Sequence, residues 1–172
     1  MIRQPFKLAR SRAAKGALSI ASALALGCAT AQGVPKEGSF EIVNCGSGTN
    51  SIVEISKTAR FTSAEQVGTT RSMPSGGYLD MTTYHCMSLG ITLDGKYTGH
   101  AYCEGVDRDG DKYISHLWST DGGKTSSEVI AGTGKFEGMT RTGTSESLGA
   151  FPAIKPGAFA GCGRQTGTYK MK

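Results

Sequence analysis

The dipeptide Asp94-Gly95, with alternating residues on both sides, is the feature that most restricts the fold of this chain. It favours a type I′ turn between two antiparallel strands, because both central residues of that turn need a positive φ. Centring the hairpin there places Cys86 opposite Cys103. This would be a non-hydrogen-bonded pair, whose Cβ atoms lie close enough for a disulfide. The sequence therefore predicts a hairpin and a Cys86–Cys103 bridge.

The same register assigns the hairpin side chains to two faces. One face combines an apolar run with four polar groups: Met87, Leu89, Ile91 and Leu93 with His85, His100, Tyr102 and Glu104. The apolar run predicts that this face points inward. The four polar groups would then be solvent-exposed groups at the rim of a barrel, or the convergent polar groups of a ligand cavity. They form the candidate ligand site.

Residues 1–31 have the pattern of a signal peptide. The amino-terminal part holds basic residues without an acid, an apolar stretch follows over 17–26, and Ala29-Thr-Ala31 has the small-x-small pattern of a cleavage site. The apolar stretch is too short for a transmembrane helix. Residues 25–28 are a partial lipobox, so lipid attachment at Cys28 is the alternative. The chain is predicted to be periplasmic or secreted.

Removal of residues 1–31 changes the charge of the chain. The segment holds five of the 19 Lys and Arg residues and none of the 14 Asp and Glu residues, which leaves 14 of each. The basic pI is thus a property of the targeting segment, and no Lys/Arg run follows it. The composition gives no reason to expect a nucleic-acid partner.

Four cysteines remain in the mature chain: Cys45, Cys86, Cys103 and Cys162. An even number in an oxidising compartment predicts two disulfides, although three connectivities are possible. The hairpin favours Cys86–Cys103, which leaves Cys45–Cys162. That second bridge would join the first strand to the last, as barrel closure requires. None of the four has the close Cys or His partners of a zinc site.

Residues 32–172 are long enough for one domain and show no sustained helical period. Short alternating segments recur between turn signals, and residues 46–50, Gly-Ser-Gly-Thr-Asn, are expected to form a turn or loop. This pattern indicates a small barrel or a sandwich, and closure is favoured because open sheet edges aggregate. The predicted fold is an all-β, small antiparallel up-and-down barrel of about eight strands, calycin-like and disulfide-stapled.

Asp107, Asp109 and Asp111 stand at alternate positions and are the candidate metal ligands. Three carboxylates can converge on calcium when the backbone turns between them. Their order departs from a calcium loop, since Gly110 precedes the third aspartate and no distal glutamate follows. The other interpretation is a second hairpin turn at Asp109-Gly110 with solvated acids.

The segment Gly-Thr-Gly-Lys-Phe-Glu-Gly at 132–138 lacks the Gly-Lys-Ser/Thr of a phosphate loop. Its glycines favour a tight turn or bulge into a strand, with Phe136 packing inward. Taken with the hairpin motifs around Cys86 and Cys103 and with Asp107–Asp111, it resembles exported bacterial proteins of the allene oxide cyclase barrel-like group. The resemblance implies an eight-stranded antiparallel barrel with a central cavity for a hydrophobic or phenolic ligand. It assigns no catalytic residue.

The leading functional hypothesis is an exported barrel that binds a small, partly apolar molecule, with no cofactor beyond possible calcium. One alternative is an isomerase or cyclase that uses the same cavity, with Glu104 or a histidine transferring protons. Another is a structural envelope protein with a packed interior. His116 alternates with Ile114 and Trp118, so it is expected to share their face, where a lone histidine is more often structural than catalytic.

Overall fold

The structure of the protein is a computed structural model that describes residues 34–120 and 124–172. The signal-peptide prediction for 1–31 and the alternative of a lipid at Cys28 lie outside these residues. Within them the chain forms one barrel.

Eight antiparallel strands close the barrel in sequence order, with the last strand pairing with the first. They are β1 (Glu37–Glu54), β2 (Ala59–Ser72), β3 (Thr82–Leu93), β4 (Lys96–Val106), β5 (Lys112–Ser119), β6 (Thr125–Gly132), β7 (Thr140–Phe151) and β8 (Ala158–Lys170). A short 3₁₀ turn, Gly134–Phe136, precedes β7. The predicted all-β up-and-down barrel is confirmed.

The β3–β4 hairpin has the predicted turn and register. Asp94 and Gly95 adopt φ of 48° and 79°, as a type I′ turn requires, and Cys86 lies opposite Cys103. Their Cα atoms are 4.0 Å apart and the disulfide is formed. Local turn chemistry was therefore sufficient to place this bridge.

The second disulfide joins Cys45 of β1 to Cys162 of β8, which lie directly opposite each other at a Cα separation of 4.1 Å. It bridges the strands whose pairing closes the barrel. Both disulfide predictions are thus confirmed, and the pair is typical of proteins from oxidising compartments.

The loop predicted at residues 46–50 is instead the middle of the long strand β1. Gly46 in this stretch is explained by a close approach. A Cβ there would lie 2.5 Å from the Tyr84 hydroxyl, so glycine leaves room for this hydroxyl against β1. The glycine marks a packing contact inside a strand, where the sequence suggested a turn.

The orientation predicted for the hairpin was wrong. Leu89 and Tyr102 are 56% and 54% exposed, and His100 and Glu104 are also exposed, whereas Cys103 on the opposite face is buried. The face that carries His85, His100, Tyr102 and Glu104 therefore points out of the barrel. These residues do share one face, as predicted, but it is the outer one.

The size of the barrel explains this reversal. The interior of an eight-stranded barrel is only wide enough to be filled by side chains or to hold one small ligand. The inward positions of β3 and β4 are mostly small residues with two tyrosines among them: Thr82, Tyr84, Cys86, Ser88, Gly90 and Thr92, and Tyr97, Gly99, Ala101, Cys103 and Gly105. Small side chains mark the interior here, and the larger apolar ones lie outside.

One end of the barrel is closed by a cluster of buried side chains: Phe40, Ile42, Tyr78, Leu79, Tyr113, Phe136, Met139 and Tyr169. They come from the start of β1, the start of β5, the end of β8 and the two connections β2–β3 and β6–β7, which all meet at this end. The rings of Tyr78 and Tyr169 stack at a centroid distance of 4.0 Å. Phe136 is buried in this cluster, as predicted.

Candidate functional site in the barrel interior

The interior holds a cavity of about 440 Å³ above the closed end. Its floor is formed by Ile42, Tyr113 and Arg141, and its lining continues to Leu117 and Phe159 towards the opposite end. Tyr84, the Cys86–Cys103 disulfide and several Ser and Thr side chains form the wall between them. A cavity of this size, with apolar surface and a few polar groups, is typical of a site for one small molecule.

Arg141 is the charged group at the floor of the cavity and is only 4% exposed. Its guanidinium carbon lies 5.8 Å from the centroid of the Phe40 ring, a cation–π distance. Burial raises the pKa of the neighbouring Tyr78 hydroxyl well above its ordinary value, although the Arg141 charge acts to lower it. Tyr78 therefore stays neutral at physiological pH and cannot neutralise the arginine.

Apart from the exposed carboxylate of Glu146, the other polar groups of the wall are uncharged. Gln66 Nε2 donates to the Tyr84 hydroxyl at 3.1 Å, and Thr70 Oγ1 donates to Asn44 Oδ1 at 2.6 Å. Burial raises the pKa of the Tyr84 hydroxyl, so it stays protonated. The wall thus offers neutral donors and acceptors around one buried cation.

The four residues predicted as the ligand site do not reach this cavity. His85 and Glu104 lie opposite each other across β3 and β4, as the register required. They do not pair with each other: His85 Nε2 lies 2.8 Å from Glu65 Oε1, and Lys112 Nζ lies 2.6 Å from Glu104 Oε1. The hydrogen bond from Lys112 lowers the pKa of the Glu104 carboxyl. The proton-transfer pair required by the isomerase alternative is therefore absent from the interior.

His100 and Tyr102 belong to a row of stacked rings on the outer surface. The His116 ring stacks on both, and also on Trp118 at a centroid distance of 5.0 Å. His116 does share a face with Trp118, as predicted, and its Nδ1 lies 3.2 Å from Glu128 Oε1. His100 and Tyr102 also border a groove on the outer surface, together with Met87 and Leu89.

The three aspartates form the turn between β4 and β5. Asp107 Oδ1 accepts hydrogen bonds from the backbone N–H groups of Asp109 and Asp111. The Lys135 ammonium contacts Asp107 and lies 2.6 Å from Asp109 Oδ2, so the lysine occupies the space between these carboxylates. Over residues 34–120 and 124–172, no three His, Cys, Asp or Glu side chains are grouped as metal ligands. Calcium binding here stays a prediction that needs Lys135 to be displaced.

The ion pair between Lys135 and Asp107 makes a testable contribution to the free energy of unfolding. Burial acts to raise the pKa of Asp107, but Lys135 and the two backbone N–H groups outweigh it and hold the pKa below its ordinary value. The resulting stability is complete above an unfolded-state pKa of about 3.9 and is lost as the pH falls towards the lower folded-state pKa. Asp107→Asn is expected to cost roughly 1–3 kcal/mol at pH 7 and progressively less below about pH 4. Urea unfolding at a series of pH values measures this.

Asp109→Asn is the matched control, because Asp109 meets the same lysine but is 62% exposed. Its effect should stay below about 1 kcal/mol. Equal losses from both variants at every pH would contradict the proposed role of the buried carboxylate. A melting temperature that falls on chelation, and does so only while Asp109 is present, would instead support the calcium hypothesis.

Sequence reasoning missed the interior residues, above all Arg141. The sequence of β7 did contain an indication of the inward face, because Arg141, Gly143 and Ser145 stand at every second position and so share one face. Small residues at alternate positions mark the interior of this barrel, so an arginine in such a series is expected to point inward. The apolar run on the β3–β4 hairpin led to the opposite choice of face.

Comparisons with known proteins found no matching family model, and no significant similarity to a curated protein or a solved structure. The described part of the chain contains no helix with the length and hydropathy needed to cross a membrane. The geometry of the cavity is therefore the main indication of function.

Proposed function

We propose that this protein is an exported barrel that binds a small, partly apolar molecule in its interior cavity. The cavity of about 440 Å³ carries the proposal, because a barrel with a purely structural role has no need of unfilled interior space. Its mixture of aromatic, aliphatic and hydroxyl side chains suits a ligand with an apolar body and one or two polar groups. The resemblance to the allene oxide cyclase barrel-like group leads to the same proposal.

The periplasm or the cell exterior is the proposed location. Two disulfides join strands that are already paired, and such bridges persist in oxidising compartments. The pattern of residues 1–31 favours export to one of them.

Binding is proposed in preference to catalysis because the candidate proton-transfer groups lie outside. Glu104 and His85 pair with Lys112 and Glu65 on the outer surface. The cavity lining does include one acid, Glu146, but that side chain is exposed and lies 3.6 Å from Arg164. A reaction in the interior would need a general acid or base that these positions do not supply.

Reducing the volume of the cavity should weaken binding. Leu117 lines it, so Leu117→Trp adds an indole ring within the interior. N-phenyl-1-naphthylamine, a neutral probe whose fluorescence rises in apolar surroundings, should bind the wild type with one-to-one stoichiometry. We expect at least a tenfold weaker affinity in Leu117→Trp, since the indole takes up space that the naphthyl and phenyl groups of the probe would occupy. Fluorescence titration measures the change, with circular dichroism as the test of folding.

Ile114→Trp is the matched control, because Ile114 lies on the outer face of the same strand and is 41% exposed. It introduces the same indole and should leave the probe affinity unchanged.

The surface groove is tested by Leu89→Ser. If that variant loses the probe while Leu117→Trp retains it, binding is external and the proposal is wrong. If Leu117→Trp is the variant that loses the probe, native mass spectrometry of protein purified from its own compartment would identify the natural ligand of the interior site.

A further inference from the structure

We infer that the ligand of the interior cavity is an organic anion, with a carboxylate that pairs with Arg141 and an apolar body that fills the space above it. This inference rests on the proposed binding function and specifies its substrate class. It comes from a buried cation for which the described residues provide no counter-charge.

Arg141 is almost completely removed from solvent, and an arginine stays protonated in proteins. Burying such a charge without a partner is costly, so buried arginines are normally paired with a carboxylate. Ten contacts join basic and acidic side chains among the described residues, two of them through a histidine, and none of them includes Arg141. The Phe40 ring compensates part of the charge, and Tyr78 and Tyr113 are neutral neighbours.

A second observation points to the same ligand. The Nε–H group of Arg141 is buried and has no hydrogen-bond acceptor within the described residues. Gln165, which also lines the cavity and is buried, has a side-chain oxygen without a donor. Buried polar groups in native proteins are nearly always satisfied, so unsatisfied ones in a cavity wall indicate a partner that the chain itself does not supply.

The chemistry of Arg141 is complementary to one functional group. A guanidinium presents parallel N–H donors that match the two oxygens of a carboxylate. A carboxylate only accepts hydrogen bonds, so the donor for the Gln165 oxygen is a separate group of the ligand, such as a hydroxyl. An ester or an alcohol alone lacks the charge that Arg141 requires. The rest of the lining, with Leu117 and Phe159 above the floor, contacts the apolar part of the molecule.

The test is a comparison of decanoate with 1-decanol, which have the same chain length and differ in the head group. Each is titrated against bound N-phenyl-1-naphthylamine at low salt and neutral pH. We expect decanoate to displace the probe at a concentration about ten- to a hundredfold lower than decanol, the range for one charge-assisted pair in a buried site. Arg141→Met should reduce the two ligands to equal potency, while Arg141→Lys keeps most of the preference.

Arg164→Met is the matched control, because Arg164 is a half-exposed arginine that pairs with Glu41 and Glu146. It removes the same charge from the protein and should leave the decanoate preference intact. If Arg141→Met fails to fold, the Nε–H proton of Arg141 in the wild type provides an independent measurement. Its NMR resonance should shift with decanoate and stay in place with decanol.

The outcomes separate the two proposals. Equal displacement by decanoate and decanol, with binding still blocked by Leu117→Trp, overturns the anion inference and leaves the binding function in place. A decanoate preference that survives in Arg141→Met also overturns it. Absence of any interior probe binding overturns the proposed function itself.

Discussion

Replacing Cys45 and Cys162 by serine is expected to lower the free energy of unfolding by roughly 5 kcal/mol. These residues are separated by 117 positions in the sequence, so their bridge closes a very long loop in the unfolded chain. The Cys86–Cys103 bridge spans only 17 positions, and its loss should cost roughly 3 kcal/mol. Both bridges connect directly opposed residues of paired strands, so the difference is expected to come mainly from the unfolded state.

Guanidinium unfolding of the two double-serine variants, under non-reducing conditions, measures the difference of about 1.7 kcal/mol that loop length predicts. The Cys86/Cys103 variant is the control for the loss of two sulfur atoms. An equal cost for both pairs would show that local contacts, and not chain closure, determine the contribution. A larger cost for Cys86–Cys103 would contradict the loop-length argument directly.

The hairpin shows how much of the fold local chemistry determines. The Asp94-Gly95 turn sets the register of the two strands, and this register places Cys86 directly opposite Cys103. The remaining cysteines then had a single pairing, which joins the first strand to the last. Turn geometry, cysteine count and strand alternation therefore predicted the closed barrel without any long-range information.

The alternation of side chains along a strand shows which residues share a face, but it does not decide which face points inward. The usual rule assigns the apolar face to the interior, and on β3 this rule chooses Met87, Leu89 and Ile91. In a narrow barrel the limiting quantity is volume, so small residues occupy the interior and the larger apolar side chains remain outside. The predicted ligand residues His85, His100, Tyr102 and Glu104 were misplaced for this reason alone, although their common face was correctly identified.

Arg141 could not be found from a motif, because its significance depends on what surrounds it in three dimensions. The sequence shows an arginine between two threonines on a late strand. Only the closed barrel brings it beside Phe40 of the first strand and Tyr78 of the β2–β3 loop. Its role as a buried cation without a counter-charge is a property of the assembled interior.

Two substitutions test the orientation of the barrel wall directly. Ile42 is 1% exposed and contributes to both the closed end and the cavity floor, so Ile42→Ala is expected to cost about 2–5 kcal/mol. Leu89 is a residue of similar size on the outer face, and Leu89→Ala should cost less than about 1 kcal/mol because the side chain is already in water. Urea unfolding of the two variants gives both values.

Ile42→Val is the graded control for the buried position and should cost roughly 0.5–1.5 kcal/mol, since it removes one methylene group. If Leu89→Ala costs as much as Ile42→Ala, the outer apolar face must be covered in solution, and the unfolding midpoint should then depend on protein concentration. A small effect at both positions would contradict the packing of the closed end. A large effect at Ile42 alone supports a barrel whose small residues face inward, which is the arrangement that creates the cavity.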